Sequence, residues 1–104
     1  MRTIHGVKEA WITKDDVYTD EPKNFTGVYY AWWENGELEY EENYKAGKYH
    51  GLCCTWHENG QLEYIENWKD GERYGLSREW RKNGQLAYGG TWKHGVFIES
   101  KIKR

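Results

Sequence analysis

Apolar and polar positions alternate along most of the chain, in short runs cut by glycine. Leu52, Cys54 and Trp56 occupy every second place, and after the pair Asn59-Gly60 the alternation resumes with Leu62, Tyr64 and, in phase, Trp68. A period of two marks a half-buried β-strand, and two such runs around a glycine turn form a β-hairpin. The hairpin recurs. Asn-Gly stands at 35–36, 59–60 and 83–84, Trp at 32, 56 and 80, Leu at 38, 62 and 86, and Tyr at 40, 64 and 88, a strict period of 24. Tyr44, Trp68 and Trp92 keep the same phase, as do two columns of glycine. A looser copy precedes them, since G6-V-K-E-A-W11 mirrors G27-V-Y-Y-A-W32 at a spacing of 21. The chain therefore divides into a degenerate capping repeat over 1–26, three full units over 27–50, 51–74 and 75–98, and a basic tail over 99–104. Terminal copies of an array diverge because they cap it.

The pattern also predicts the loops. A two-residue loop at Asn59-Gly60 would set Trp56 opposite Glu63 and scatter the apolar residues over both faces. A three-residue loop sets Trp56 opposite Leu62 and Cys54 opposite Tyr64. We therefore expect three-residue or other odd-numbered loops with a left-handed glycine, and the same at the K-x-G turns 45–47, 69–71 and 93–95. Because the period is even, Tyr30, Trp32, Leu38, Tyr40, Tyr44 and their equivalents should then share one face. The expected fold is all-β: an elongated single antiparallel sheet of stacked hairpins, eight strands spanning about 40 Å.

Composition narrows the chemistry. Seven Trp and nine Tyr against two Phe supply rings with polar handles, suited to surfaces half buried and half wet. Residues 1–74 carry 8 Lys/Arg against 15 Asp/Glu, a balance of −7, and residues 75–104 carry 7 against 2, a balance of +5. Such polarity bears on partner choice and encounter rate. The two cysteines are neighbours, Cys53 and Cys54, which a strand points to opposite faces, so reduced thiols and a cytoplasmic setting are expected. The N-terminal residues show no apolar signal core, and no run approaches 18 apolar residues.

Three in-phase segments carry a family resemblance. Y40-E-E-N-Y-K-A-G-K-Y-H-G51, Y64-I-E-N-W-K-D-G-E-R-Y-G75 and Y88-G-G-T-W-K-H-G95 resemble the MORN repeat, and N-G-[EQ]-L is similar to the bacterial variant found in YwqK-type antitoxin components. The resemblance covers about 25–98 as whole units and implies a hairpin-repeat fold that serves binding. It departs at two places. The second glycine of the family's Gly-x-Gly pair is Tyr29, Cys53 or Ser77, and the glycine after the repeated Tyr survives only as Gly90, with Glu42 and Glu66 elsewhere. Those glycines let rings lie across the backbone, so the first two units should pack differently from the third.

Candidate chemistry is sparse. H50-G-L-C-C-T-W-H57 holds four potential metal ligands, but same-face pairs four residues apart on a strand are separated by about 13 Å, so no metal site or cofactor is expected. Glu34, Glu39, Glu42, Glu58, Glu63 and Glu66 recur with the repeat and look like solvated rim residues; no nucleophile triad or phosphate loop accompanies them. The expected class is therefore a non-catalytic protein-binding module. R78-E-W-R-K82 and K101-I-K-R104 could meet nucleic acid or anionic lipid, yet the acidic bulk of the chain argues against both.

Aromatics that break the alternation mark the favoured contact patch. Phe25, Tyr29, Trp33, Tyr49, Cys53 and Ile65 sit at odd positions, rimmed by acids that include Glu39 and Glu41. Either they anchor a protein partner, or they pack on Trp11, Ile12, Val17 and Tyr18 of the capping repeat. With the resemblance, the first alternative suggests an antitoxin- or immunity-like protein that neutralises a basic toxin-like or effector protein. Rival readings are a scaffold that self-assembles head to tail, acidic end to basic end, and a binder of small ligands or lipid head groups in ring-lined grooves.

Overall fold

A computed structural model describes residues 9–13, 16–18 and 21–99, and these form one open antiparallel sheet of nine strands with no helix among them. The strands are β1 (Glu9–Ile12), β2 (Val17–Tyr18), β3 (Gly27–Trp32), β4 (Leu38–Lys45), β5 (Lys48–Trp56), β6 (Leu62–Lys69), β7 (Glu72–Trp80), β8 (Leu86–Lys93) and β9 (Val96–Glu99). From β3 onward each strand pairs with the next in sequence. The capping repeat departs from that order: β1 pairs with β3, and β2 lies outermost. The principal extents are 42 × 32 × 15 Å, a single layer with side chains on both sides. The tail segment 101–104 lies outside the described residues, as do residues 1–8.

The Asn-Gly turns have the three-residue loops that the pattern predicts. The Trp33 N–H donates to the Glu37 carbonyl (2.7 Å) and the Gly36 N–H to the Trp33 carbonyl (2.9 Å), leaving Glu34-Asn35-Gly36 as the loop. Gly36, Gly60 and Gly84 take φ of 88°, 87° and 89°, a region that costs glycine little.

Beside each loop the register slips by one. Ala31 pairs with Tyr40 but Trp32 with Leu38, so Glu39 is an extra residue; Glu63 and Ala87 are its equivalents. One extra residue turns every later side chain to the opposite face. The expected single aromatic face is thereby overturned, and Thr55, not Cys54, meets Tyr64. Tyr40, Tyr44, Tyr64, Trp68, Tyr88 and Trp92 share one side with Tyr29 and Tyr49, here the ring face. Tyr30, Trp32, Leu38, Cys54, Trp56, Leu62, Ile65, Leu76, Trp80 and Leu86 share the other, here the leucine face.

The K-x-G turns also differ from expectation. Lys45 pairs with Lys48, leaving a two-residue loop in which Ala46 (φ 49°) and Gly47 (φ 81°) are both left-handed; Asp70-Gly71 and His94-Gly95 repeat it. Such a turn matches the right-handed twist of the strands it joins, which outweighs the modest cost of a non-glycine at its first position. Farther along, Tyr44 faces Tyr49 whereas Glu42 faces Cys53, so β5 carries two extra residues against β4. The Asn43 amide fills the widened ladder by donating to the Leu52 carbonyl, and Asn67 does the same for Leu76. A slip of two preserves the faces.

Burial is deepest at the N-terminal end. Ala10, Trp11, Phe25, Ala31 and Trp32 are buried there, with the Trp11 and Phe25 rings edge to face at 5.2 Å. Cys53 and Cys54 are free thiols buried mid-sheet on opposite faces. Burial pushes Cys53 up to about 12 and Cys54 up to about 11, so both stay protonated and unreactive.

Candidate functional site

A row of rings crosses the ring face from strand to strand. Tyr44 lies 4.9 Å from Tyr49, and Tyr49 lies 5.0 Å from Trp68. The Arg73 guanidinium follows, 5.0 Å from the Trp68 ring and 5.2 Å from Trp92, and Trp92 lies 5.3 Å from Phe97. Phe25, 5.7 Å from Tyr44, joins the row to the capping repeat. Two sequence columns interleave here: Phe25, Tyr49, Arg73, Phe97 and Tyr44, Trp68, Trp92.

Beneath the row, the residue in the column 42, 66, 90 decides how each unit packs. In the third unit Phe97 lies on Gly90, where an added Cβ would come within 2.7 Å of the ring and 2.2 Å of the Ile98 carbonyl oxygen. In the first unit Glu42 occupies that column and accepts from the Tyr44 and Tyr49 hydroxyls, each at 3.0 Å. In the second, Glu66 accepts from the Tyr64 hydroxyl (2.6 Å), Trp68 Nε1 (2.8 Å) and Arg73 Nε (3.1 Å) while only 8% exposed. A buried carboxylate needs such a set of donors. Burial first, and the bonded carboxylates second, raise the phenols of Tyr29 and Tyr64 well above their ordinary range; Tyr44 is raised by burial and by its contacts with Tyr49 and Glu42. This network is structural.

The more distinctive feature lies at the Asn-Gly edge. Trp33, Glu39, Tyr40, His57, Glu58, Glu63 and Lys82 line a cleft of about 360 Å³ between successive loops. The Trp33 Nε1–H donates to the Trp56 carbonyl (3.0 Å), and His57 Nε2 meets the Trp80 carbonyl at 3.0 Å, so each ring is held by the following unit. A carbonyl only accepts, which places a proton on His57 Nε2. Its Nδ1 faces the Glu63 carboxylate at 3.9 Å, and the Thr55 hydroxyl donates to Glu63 at 3.0 Å. The loops are laced together as well: Asn35 Nδ2 donates to the Glu58 carbonyl and Asn59 Nδ2 to the Lys82 carbonyl, both at 2.9 Å. Burial, then the charges of Glu58 and Glu63, raise the Glu39 carboxyl above its usual range.

The acidic character sets this inter-repeat junction apart from the one that follows it. The column 34, 58, 82 reads Glu, Glu, Lys, and the column 39, 63, 87 reads Glu, Glu, Ala. The junction between the second and third units therefore lacks the equivalents of Glu58 and Glu63.

The structure divides the patch expected from sequence. Trp33 and Glu39 line the cleft. Phe25 is 3% exposed and packs with Tyr29 on Trp11, whose ring lies 4.2 Å from that of Tyr29. Tyr29 donates to Glu9 at 2.6 Å, so for these two residues the packing alternative describes the contacts. Tyr49 belongs to the ring row. Glu41 and Ile65 lie on the leucine face, because the bulges reverse odd and even between β3 or β5 and their partners. Tyr40, His57, Glu58 and Glu63 complete the cleft; the sequence signal for its acids is the pair of columns that switch from Glu in two copies to Lys or Ala in the third. His50 accepts from the Asp70 N–H (3.3 Å) and His57 points to the loop edge, so with Cys53 and Cys54 on opposite faces the four candidate ligands do not converge.

A family model described as the MORN repeat variant matches residues 25–46 and 49–70. The matched span contains the first unit, most of the second and the whole acidic side of the cleft. Repeats of this kind generally serve as protein- or membrane-binding modules. No curated protein and no solved structure matches the chain.

Proposed function

We propose that this chain is a non-catalytic binding module whose acidic cleft seats a lysine or arginine side chain of a basic protein partner. The observation that carries this reading is the crowding of Glu39, Glu58 and Glu63 against the rings of Trp33 and Tyr40. An inserted cation offsets both the burial and the neighbouring charges that raise Glu39, and gains contact with ring faces. The acidic bias of residues 1–74 speeds encounter with such a partner, and the rings supply affinity. Neutralisation of a basic toxin-like protein is the specific role we favour; it is supported by the N-G-[EQ]-L element at each Asn-Gly turn.

The test is a tryptophan-fluorescence titration with an arginine- and lysine-rich peptide. Saturable, salt-sensitive binding is expected, with an affinity loss of about tenfold or more in Glu58→Gln/Glu63→Gln. Glu72→Gln/Glu99→Gln changes net charge equally but lies away from the cleft and should leave affinity almost unchanged. Equal losses in both double variants would reduce the effect to net charge and overturn the cleft. Choline in place of the peptide separates a lipid head group from a protein side chain.

A further inference from the structure

Among the described residues nothing forms a second layer over the leucine face, and its interior carries few charges. Its central row runs strand by strand through Tyr30, Glu41, Cys54, Ile65 and Arg78, each cross-strand partner of the next. Above it runs a row of Trp32, Leu38, Trp56, Leu62, Trp80 and Leu86. Leu52, Leu86 and Ile98 are 40%, 37% and 52% exposed on this side. Between the two lines of turns its charged residues are Glu41 and Arg78, among the described residues. They sit three strands apart, about 14 Å, too far to pair with each other. Neither forms an ion pair elsewhere among the described residues.

We propose that two copies of this chain stack leucine face to leucine face, about a twofold axis running along the strands between β5 and β6. Such an axis sends β4 onto β7 and β5 onto β6 while keeping each row at its own height. Glu41 of one copy then lies over Arg78 of the second, and the contact occurs twice because the interface is isologous. Cys54 lies over Ile65, and the Trp-Leu row meets its own counterpart. The operation also lays the −7 part of one chain toward the +5 part of the other. A face of 42 × 32 Å exceeds the roughly 800 Å² per partner that a stable complex buries. Two twisted sheets stacked in this way make a β-sandwich about 10 Å between layers, which removes the apolar side chains from water. The contact is distinct from end-to-end assembly, and it leaves the ring face and the acidic cleft open.

Sedimentation of the purified full chain over a concentration series tests it. The expected species is a dimer, twice the 12.5 kDa chain mass. Glu41→Arg and Arg78→Glu should each weaken the dimer about tenfold or more, since each creates two like-charge contacts, and the double exchange should restore it to within about threefold. Glu41→Gln and Arg78→Gln, milder changes that keep the side-chain bulk, should each weaken it several-fold with an unchanged far-ultraviolet circular dichroism spectrum. A wild-type chain that remains monomeric at about 100 µM overturns the dimer. So does a dissociation constant unmoved by the single exchanges, or a loss that the double exchange fails to recover.

Discussion

Arg73 places its Nε 3.1 Å from the Glu66 carboxylate, at the one point where a cation replaces a ring in the row that crosses the sheet. Tyr49 holds the equivalent place one unit earlier and bonds Glu42 in the same manner. The repeat therefore keeps a contact, donor to buried carboxylate, and exchanges the residue that makes it.

Arg73→Ala should cost about 1–2 kcal/mol in urea denaturation. The buried Glu66 loses one of three donors, and the half-exposed arginine gains little from water-screened attraction. Arg73→Tyr should cost less than half as much, because a phenol already serves Glu42. Equal losses for the two variants would break the equivalence of the columns.

Gly90→Ala should be more damaging, about 2–4 kcal/mol, since backbone at Ile98 and the Phe97 ring occupy the space a Cβ needs. Hydrogen exchange should show the loss concentrated in β8 and β9. Protection that falls evenly across all strands would argue against this close approach.

The turn asparagines should not be interchangeable. Asn35 and Asn59 each accept from a backbone N–H two residues on and also donate to the next loop, whereas Asn83 accepts from the Gln85 N–H and, among the described residues, donates to the Gln85 side chain. Replacing either of the first two by Ala is expected to cost about 1–2 kcal/mol, and replacing Asn83 about half of that. Thermal melts of the three variants give the ranking.

Alkaline titration should separate the tyrosines. Tyr29, Tyr44 and Tyr64 have phenols raised in the folded chain, so the fold binds their protons more tightly than the unfolded chain does. Their contribution to stability is complete below about pH 10 and declines as pH rises above it. Absorbance at the phenolate band should show a delayed group of tyrosines that ionises only with unfolding. A single transition near pH 10 with all nine tyrosines would contradict the buried network.

Much of the architecture was legible along the chain. The period of 24, the hairpin in each copy, and the three-residue Asn-Gly loop all follow from local pattern and turn chemistry, because these depend on residues close in sequence. The altered packing of the unit that keeps Gly90 was legible for the same reason: one Cβ decides whether a ring can lie on the backbone. Of the cleft, Trp33 and Glu39 were legible, whereas His57, Glu58 and Glu63 come from the following loop, and only lateral stacking of loops brings them near.

Face assignment belonged to tertiary structure. Alternation is strictly two-fold, so a single extra residue at Glu39, Glu63 or Ala87 reverses the side on which every later ring falls. Nothing local distinguishes a strand with that residue from one without it; the choice rests on what each face packs against and on the twist of neighbouring strands. Which side chains repeat is written along the chain; which of them meet follows from the register between strands.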